Sequence, residues 1–247
     1  MPCANLFGAR HLYLRYNLYM ITILINKELD KEVFKDFWGF SAGGADFGAR
    51  IKQIHPDITE ENADTYIDRY YEEHAAELIS AQKELQETIN HTSPEYFAAI
   101  SEVFGKDYSD QTYTGMFSIF DCNPRYVDKK EFQVFYKRDV LGKLEVAYHE
   151  VLHFVFFEHA AHTCPSVVGT LDTNGGSYWA LSELFNVLIL NKPTFQKILQ
   201  REEKMFYSML APYLEPIRTM FEIRKDFCGF LSNSLTYLEE KRGEAKS

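Results

Sequence analysis

The chain is short of positive charge. Its 26 Lys and Arg face 36 Asp and Glu among 247 residues, a formal net charge of −10. That balance argues against a nucleic acid or an anionic membrane surface as partner, since both are bound by basic surfaces. Cysteine is sparse as well. Cys3, Cys122, Cys164 and Cys228 lie far apart and form no CxxC pair, which excludes a zinc knuckle or a dense disulfide framework. They read as reduced thiols of a cytoplasmic protein, although spacing alone leaves every pairing open. Long apolar runs are missing. The best, Leu12 to Ile25, is interrupted by Arg15 and Asn17 and falls short of the roughly 20 residues a membrane-spanning helix needs. Gly43, Gly44 and Gly48 make a flexible loop rather than a phosphate cradle, because no Gly-Lys-Ser/Thr follows them. There is no internal repeat and no low-complexity segment.

What remains is the make-up of a globular protein. The chain is 46% hydrophobic and 15% aromatic, with 20 Phe and 16 Tyr, and this favours a thick core of packed helices. The length suits a single sizeable core. Residues 1–19 read as an extension that is disordered or falls before the true start at Met20. Residues 20–241 read as one domain, and residues 242–247 as a disordered tail. Arg10 ahead of the apolar run has the look of a secretory signal, but no small-x-small cleavage site follows. The expected location is therefore cytoplasmic, with secretion the alternative if residues 1–25 act as a signal.

Along the chain, Met20 to Ile25 (MITILI) is a short buried strand. Lys27 to Trp38 follows as a helix. A long amphipathic helix runs from a cap at Asp57 or Thr59 to Ile89. Ser93-Pro94 opens another, ended by Gly105. Tyr113–Phe120 and Glu131–Tyr136 read as strands joined in a hairpin across Asn123-Pro124. Helices then dominate to the end, the last near Phe230–Lys241. The fold class is α+β, predominantly helical, with a small mixed sheet.

The chemistry sits in Leu144–His159, LEVAYHEVLHFVFFEH, a stretch without Gly or Pro. His149 and His153 are four residues apart, a little over one helical turn, and project from the same face. Two imidazoles so placed reach one zinc ion at about 2.0–2.1 Å. Glu150 lies about 100° round the helix, beside a metal-held water rather than on the metal, where a general base belongs. The flanks are apolar nearly all round, so this helix is central. Ionisable groups buried there need a partner.

HEVLH on a helix resembles the zincin superfamily of zinc metallopeptidases. The resemblance implies one Zn2+ per chain and a peptide or protein substrate. It also implies a sheet beside the motif helix, one of whose strands forms an edge for that substrate. The candidate edge is one of the two strands before the helix. A catalytic zinc takes three protein ligands, and two readings supply the third. Glu183, 30 residues beyond His153 on the Tyr178–Leu190 helix, is similar to the gluzincin pattern, with Asn186 on its face as a supporting group where many gluzincins carry Asp. Alternatively His159 completes a metzincin-like HExxHxxGxxH, but Phe156 stands where Gly lets the chain turn. The uninterrupted helix would then carry His159 away from the other two. Glu158 and His162 are weaker candidates. Tyr178, His162 and Tyr207 are available as donors to an oxyanion. The expected function is peptide hydrolysis through a zinc-activated water with Glu150 as base. The alternatives are a non-catalytic zincin scaffold, with zinc structural or absent, and a helical interaction domain with a chance motif.

Overall fold

A computed structural model describes residues 20–42 and 44–244 of the chain, so the expectations for residues 1–19 and for Gly43 fall outside the described residues. In chain order the elements are β1 (Ile21–Ile25), α1 (Lys27–Phe37), β2 (Ser41–Ala42), β3 (Ala45–Asp46), α2 (Phe47–Ile54), α3 (Ala63–Glu73), α4 (Ala75–Phe104), β4 (Tyr113–Ser118), β5 (Arg125–Tyr126), β6 (Glu131–Phe135), α5 (Val140–Thr163), α6 (Pro165–Val168), α7 (Gly176–Leu190), α8 (Pro193–Leu199), α9 (Leu214–Glu222) and α10 (Phe227–Glu244). The protein is predominantly helical with a small mixed sheet, as its composition implies.

The sheet runs β1-β4-β6-β5. β4 is parallel to both β1 and β6, and only β5 is antiparallel, pairing Arg125 with Phe132 and Tyr126 with Glu131. The expected hairpin is therefore wrong. A parallel return needs a connection of about a dozen residues, and here residues 119–130 supply it. Within that connection the chain first runs back as β5, turns, and then slots β6 between β5 and β4. Asn123 takes a left-handed backbone conformation, which Asn tolerates better than most residues. Its side chain accepts the amide of Phe135. Both strands expected to supply an edge are internal; the edges are β1 and β5. Polar side chains of α4 cover β1: Gln86 accepts Ile23 N–H and donates to Ile21 C=O, and Gln82 donates to Ile23 C=O. That occupies backbone groups otherwise open to a further strand.

Four helix boundaries differ from the sequence reading. The long amphipathic helix breaks at His74, whose Nδ1 lies 2.9 Å from Glu77 and whose ring stacks on Tyr70. Its start falls later, at Ala63, because Thr59 and Asn62 cap each other across a turn. Pro94, by contrast, does not open a new helix; α4 runs through it. Tyr96 on α4 stacks on Tyr148 of α5 at 3.8 Å and donates to its carbonyl, so tertiary packing overrides the local breaker. At the C-terminus α10 continues through Glu244, so the expected tail is helical to that point, and residues 245–247 lie outside the described residues.

α5 lies at the centre, packed on α4, α7 and β6. Fifteen of its residues are buried, among them Leu144, Ala147, Val151, Leu152, Val155 and Phe156. Its far end is stapled. Cys164, which caps α5, forms a disulfide with Cys228 in the first turn of α10, correcting the expectation of reduced thiols. Cys122 is a free, buried thiol. A second fixture holds the other side of the sheet. Asp30 of α1 is fully buried and accepts Ser118 Oγ, Ile119 N–H, Tyr71 OH and Gln133 Nε2. One carboxyl thus joins α1, α3, β4 and β6.

Two predictions follow from these fixtures. Opening the Cys164–Cys228 bond, which spans 64 residues, should cost about 4 kcal/mol on the loop-closure model. Thermal denaturation of Cys228→Ser against the parent, with and without reductant, reads this. Burial pushes the Asp30 carboxyl up to about 6 against the pull of its donors. The fold therefore favours the protonated form. Its contribution is full below about pH 4 and is lost as pH rises through 6, by up to roughly 3 kcal/mol. Denaturant titration from pH 4 to 7 should show the parent losing stability relative to Asp30→Asn, and parallel pH curves would refute it.

Candidate metal centre

The motif helix is fixed at its start by Asp139, whose carboxylate accepts Gly142 N–H at 2.6 Å. α7 begins at Gly176, whose φ is +68°, a conformation glycine adopts without strain. It crosses α5 so that Glu183, only 4% exposed, meets the two histidines. His149 Nε2 and His153 Nε2 are 3.0 Å apart. Glu183 Oε2 lies 3.4 Å from His149 Nε2, and Glu183 Oε1 lies 3.4 Å from His153 Nε2. A tetrahedral ion with bonds of about 2.0–2.1 Å holds its donors roughly 3.3 Å apart. Two of the three separations match and the third is slightly tight. His149, His153 and Glu183 are a buried group able to hold a metal ion.

Around these three donors stand groups of a second kind. Asn186, one turn beyond Glu183, is completely buried and donates to the carbonyl of His149 at 2.8 Å, tying α7 to α5. The position expected to support the site does so through the backbone. His149 Nδ1 is 3.0 Å from Glu203. A carboxylate only accepts, so Nδ1 carries a proton, and in the neutral ring Nε2 is the nitrogen left with a lone pair toward His153 and Glu183. Arg125, on the antiparallel edge strand β5, places Nη1 3.2 Å from Glu183 and 3.7 Å from Glu150. Glu150 is 6% exposed and faces the cleft beside the donors, as its position on the helix requires.

Charges shape the protonation of the cluster. Burial works against a charged His149, but Glu203 and Glu183 outweigh it and raise its basicity well above normal. Burial, with Arg125 adding to it, brings His153 down to about 3, so this ring is neutral. Burial raises Glu150 and is opposed first by Arg125. Glu183 is the converse: burial would raise it, yet His153, His149 and Arg125 hold it well below the usual carboxylate range. Five of the nine buried side-chain atoms that lack a hydrogen-bond partner among the described residues belong here: Arg125 Nε, Glu150 Oε2, His153 Nδ1, Asn186 Oδ1 and Glu203 Oε2. Unsatisfied buried polar atoms are rare and gather where a protein has chemistry to do.

The remaining candidates separate cleanly. His159 sits on another face of α5, with Nδ1 2.9 Å from Tyr108 OH and its ring against Phe104 and Phe227, so it is no ligand to this group. Glu158 is held by Lys130 and Gln111 instead. His162 is exposed. It lies nine residues past His153, about 180° round the helix. Tyr178 turns its ring onto Phe156 and Phe157, away from the cleft, since five residues separate it from Glu183 and place it about 140° round α7. Neither is an oxyanion donor here. Tyr207 does line the cleft, a space of about 710 Å³ bordered also by Arg125, Glu145, Val146, Met205 and Phe206. Arg125 and Glu203 were missed in the sequence. Arg125 comes from a strand of two residues and Glu203 from a stretch without helix or strand, and REEK at 201–204 reads as a solvated charge run. Comparison of the chain with family models, with curated proteins and with solved structures finds no match.

If the three donors hold a metal together, Glu183→Ala should weaken its binding more than about 100-fold, beyond what loss of a supporting group costs. Competition with a chromophoric chelator measures this. His159→Ala should leave the affinity unchanged.

Proposed function

We propose that the chain is a zinc-dependent metallopeptidase of zincin type, with a gluzincin-like ligand set. The observation that carries this reading is the meeting of Glu183 with His149 and His153 beside a cleft that Glu150 faces without joining the three. Two imidazoles and a carboxylate, closed to a fourth protein ligand, suit catalytic zinc. A purely structural site would have no use for Glu150.

His149, His153 and Glu183 would hold the ion. When bound, it supplies Lewis acidity, lowering a water's pKa toward 7 and polarising a carbonyl. The protein's own groups do the rest. Burial raises the Glu150 carboxyl above the usual carboxylate range, and Arg125 and His149 oppose that rise, keeping it a usable acceptor. It takes the proton of the attacking water and returns it to the leaving amine. Arg125, with an unpartnered Nε and a place at the rim of the donors, is well sited to donate to the charge that develops on the scissile carbonyl oxygen. Tyr207 is the neutral alternative on the same cleft. β5, the antiparallel outer strand that carries Arg125, offers a backbone against which an extended peptide could lie.

Among the described residues no helix is long and apolar enough to cross a membrane. The Cys164–Cys228 bond favours an oxidising compartment over the cytoplasm, but a signal reaching residue 25 does not fit the fold, because Ile21–Ile25 form β1 of the sheet.

Glu150→Gln tests the mechanism. It should retain one equivalent of zinc by metal analysis and lose hydrolysis of peptide substrates by 10²- to 10⁴-fold, the range general-base catalysis supplies. Parent-like turnover in this variant would refute the mechanism. A parent that binds zinc tightly and cleaves no peptide would instead point to a non-catalytic scaffold.

A further inference from the structure

The segment from Gln200 to Tyr207, between α8 and the turn that precedes α9, contains no helix or strand. It nevertheless carries Glu203, the acceptor of His149 Nδ1–H. A carboxylate on such a stretch orients a ring only if its backbone is held, and one side chain holds it. Asn191, which caps the end of α7, accepts Glu203 N–H on Oδ1 at 3.0 Å and donates from Nδ2 to Glu203 C=O at 2.9 Å. The amide thus pairs with both backbone groups of a single residue, as a neighbouring strand would. Asn191 is itself fixed by donating to Val187 C=O at 3.0 Å and by accepting from Gln196 at 3.3 Å. An Asn at a helix end commonly does no more than satisfy a terminal carbonyl. Here the contact with Val187 performs that task, and the pair of bonds to Glu203 is additional.

We infer that Asn191 is a positioning residue of the metal centre, acting through Glu203 on the orientation and tautomer of His149. This rests on the metal-dependent reading of the site. The path is continuous: the end of α7, the Asn191 amide, the Glu203 backbone, the Glu203 carboxylate, then His149 Nδ1. One helix thereby presents Glu183 to the ion directly and secures a second donor through Asn191. Met205, Phe206 and Tyr207 follow Glu203 immediately and line the cleft, so the same clamp fixes one wall of the space for substrate. Arg201, two residues before Glu203, adds an outer tie through Asp139 and Glu145.

The test is a double-mutant cycle on the full chain, with zinc affinity read by chelator competition and the visible spectrum of the Co2+-loaded protein read alongside it. Asn191→Asp keeps the shape and removes the donor. Glu203→Gln keeps the backbone clamp and removes the acceptor's charge. Each should weaken zinc binding about 10- to 100-fold, as loss of a group supporting a ligand does. The two losses should not add: in the Glu203→Gln background, Asn191→Asp should cost no more than about a further twofold. Both single variants should shift the Co2+ spectrum, while Gln82→Ala, far away on α4, leaves affinity and spectrum unchanged. Additive losses, an Asn191→Asp variant with parent affinity and spectrum, or one that fails to fold, would each overturn the inference by giving Asn191 a structural role or none. A parent that binds no zinc would mark failure of the underlying metal reading instead.

Discussion

Three buried carboxylates, Glu150, Glu183 and Glu203, gather round His149 and His153, and among the described residues Arg125 is the one Arg or Lys that forms an ion pair with any of them. Everything else in the centre of this protein accommodates that imbalance. With neutral imidazoles these three carboxylates and Arg125 leave an excess of two negative charges, and burying charge without compensation costs several kcal/mol per ion. The protein responds in part by raising His149 and Glu150, so that each tends to hold a proton. A divalent cation between the two Nε2 atoms and Glu183 would balance the excess outright. On the proposed reading, removing any one of the three carboxylates to improve stability would also remove a donor, a base or an orienting group. The site is costly to the fold for the same reason that it suits a metal.

The motif was legible because α-helical spacing is rigid. His149, Glu150 and His153 lie within about one turn of helix, so their relative directions follow from the sequence alone. Glu183 could be read by a weaker argument: an acidic residue on a helix apolar nearly all round has to meet something. The same geometry rejected His159, since Phe156 lets the helix run on where a glycine would let the chain leave it. Arg125, Glu203 and Asn191 obey no such period. β5 has two residues and Glu203 belongs to no element, so what places them is long-range pairing: Phe132 against Arg125, Asn191 against Glu203. The errors share that origin. The strand order turned on a back-running segment too short to register as a strand, and the Cys164–Cys228 pairing on how α10 returns to the end of α5. Pro94 was read as a helix start because its local preference is real, yet the stacking of Tyr96 on Tyr148 decides the matter.

α5 and α7 therefore divide the work unequally. α5 contributes two imidazoles and Glu150, but its direction is set from outside, by the Asp139 cap at one end and the Cys164 staple at the other. α7 contributes Glu183 and most of the alignment. From a single helical rod Glu183 approaches the donors, Asn186 grips the His149 carbonyl, and Asn191 grips the strand-like Glu203. Its apolar sides are buried against α5, α9 and α10, so the rod has little freedom to shift relative to its neighbours. Such support is what keeps donor positions within the few tenths of an ångström a metal tolerates.

The position of Arg125 couples the metal centre to the cleft. Its guanidinium lies between Glu183 and Glu150, over the face of Phe157 at 6.0 Å. A cation drawing on Glu183 would weaken the hold of that carboxylate on Arg125, because the same Oε1 serves both Arg125 and the His153 side of the pocket. The guanidinium then retains its charge and its unpartnered Nε at the edge where a carbonyl would enter. Ion, base and guanidinium are not three independent parts on this view. On the proposed reading, an ion held by the three donors would leave Arg125 free to meet a substrate, and a substrate in the cleft would screen Glu150 from water and favour its protonated form.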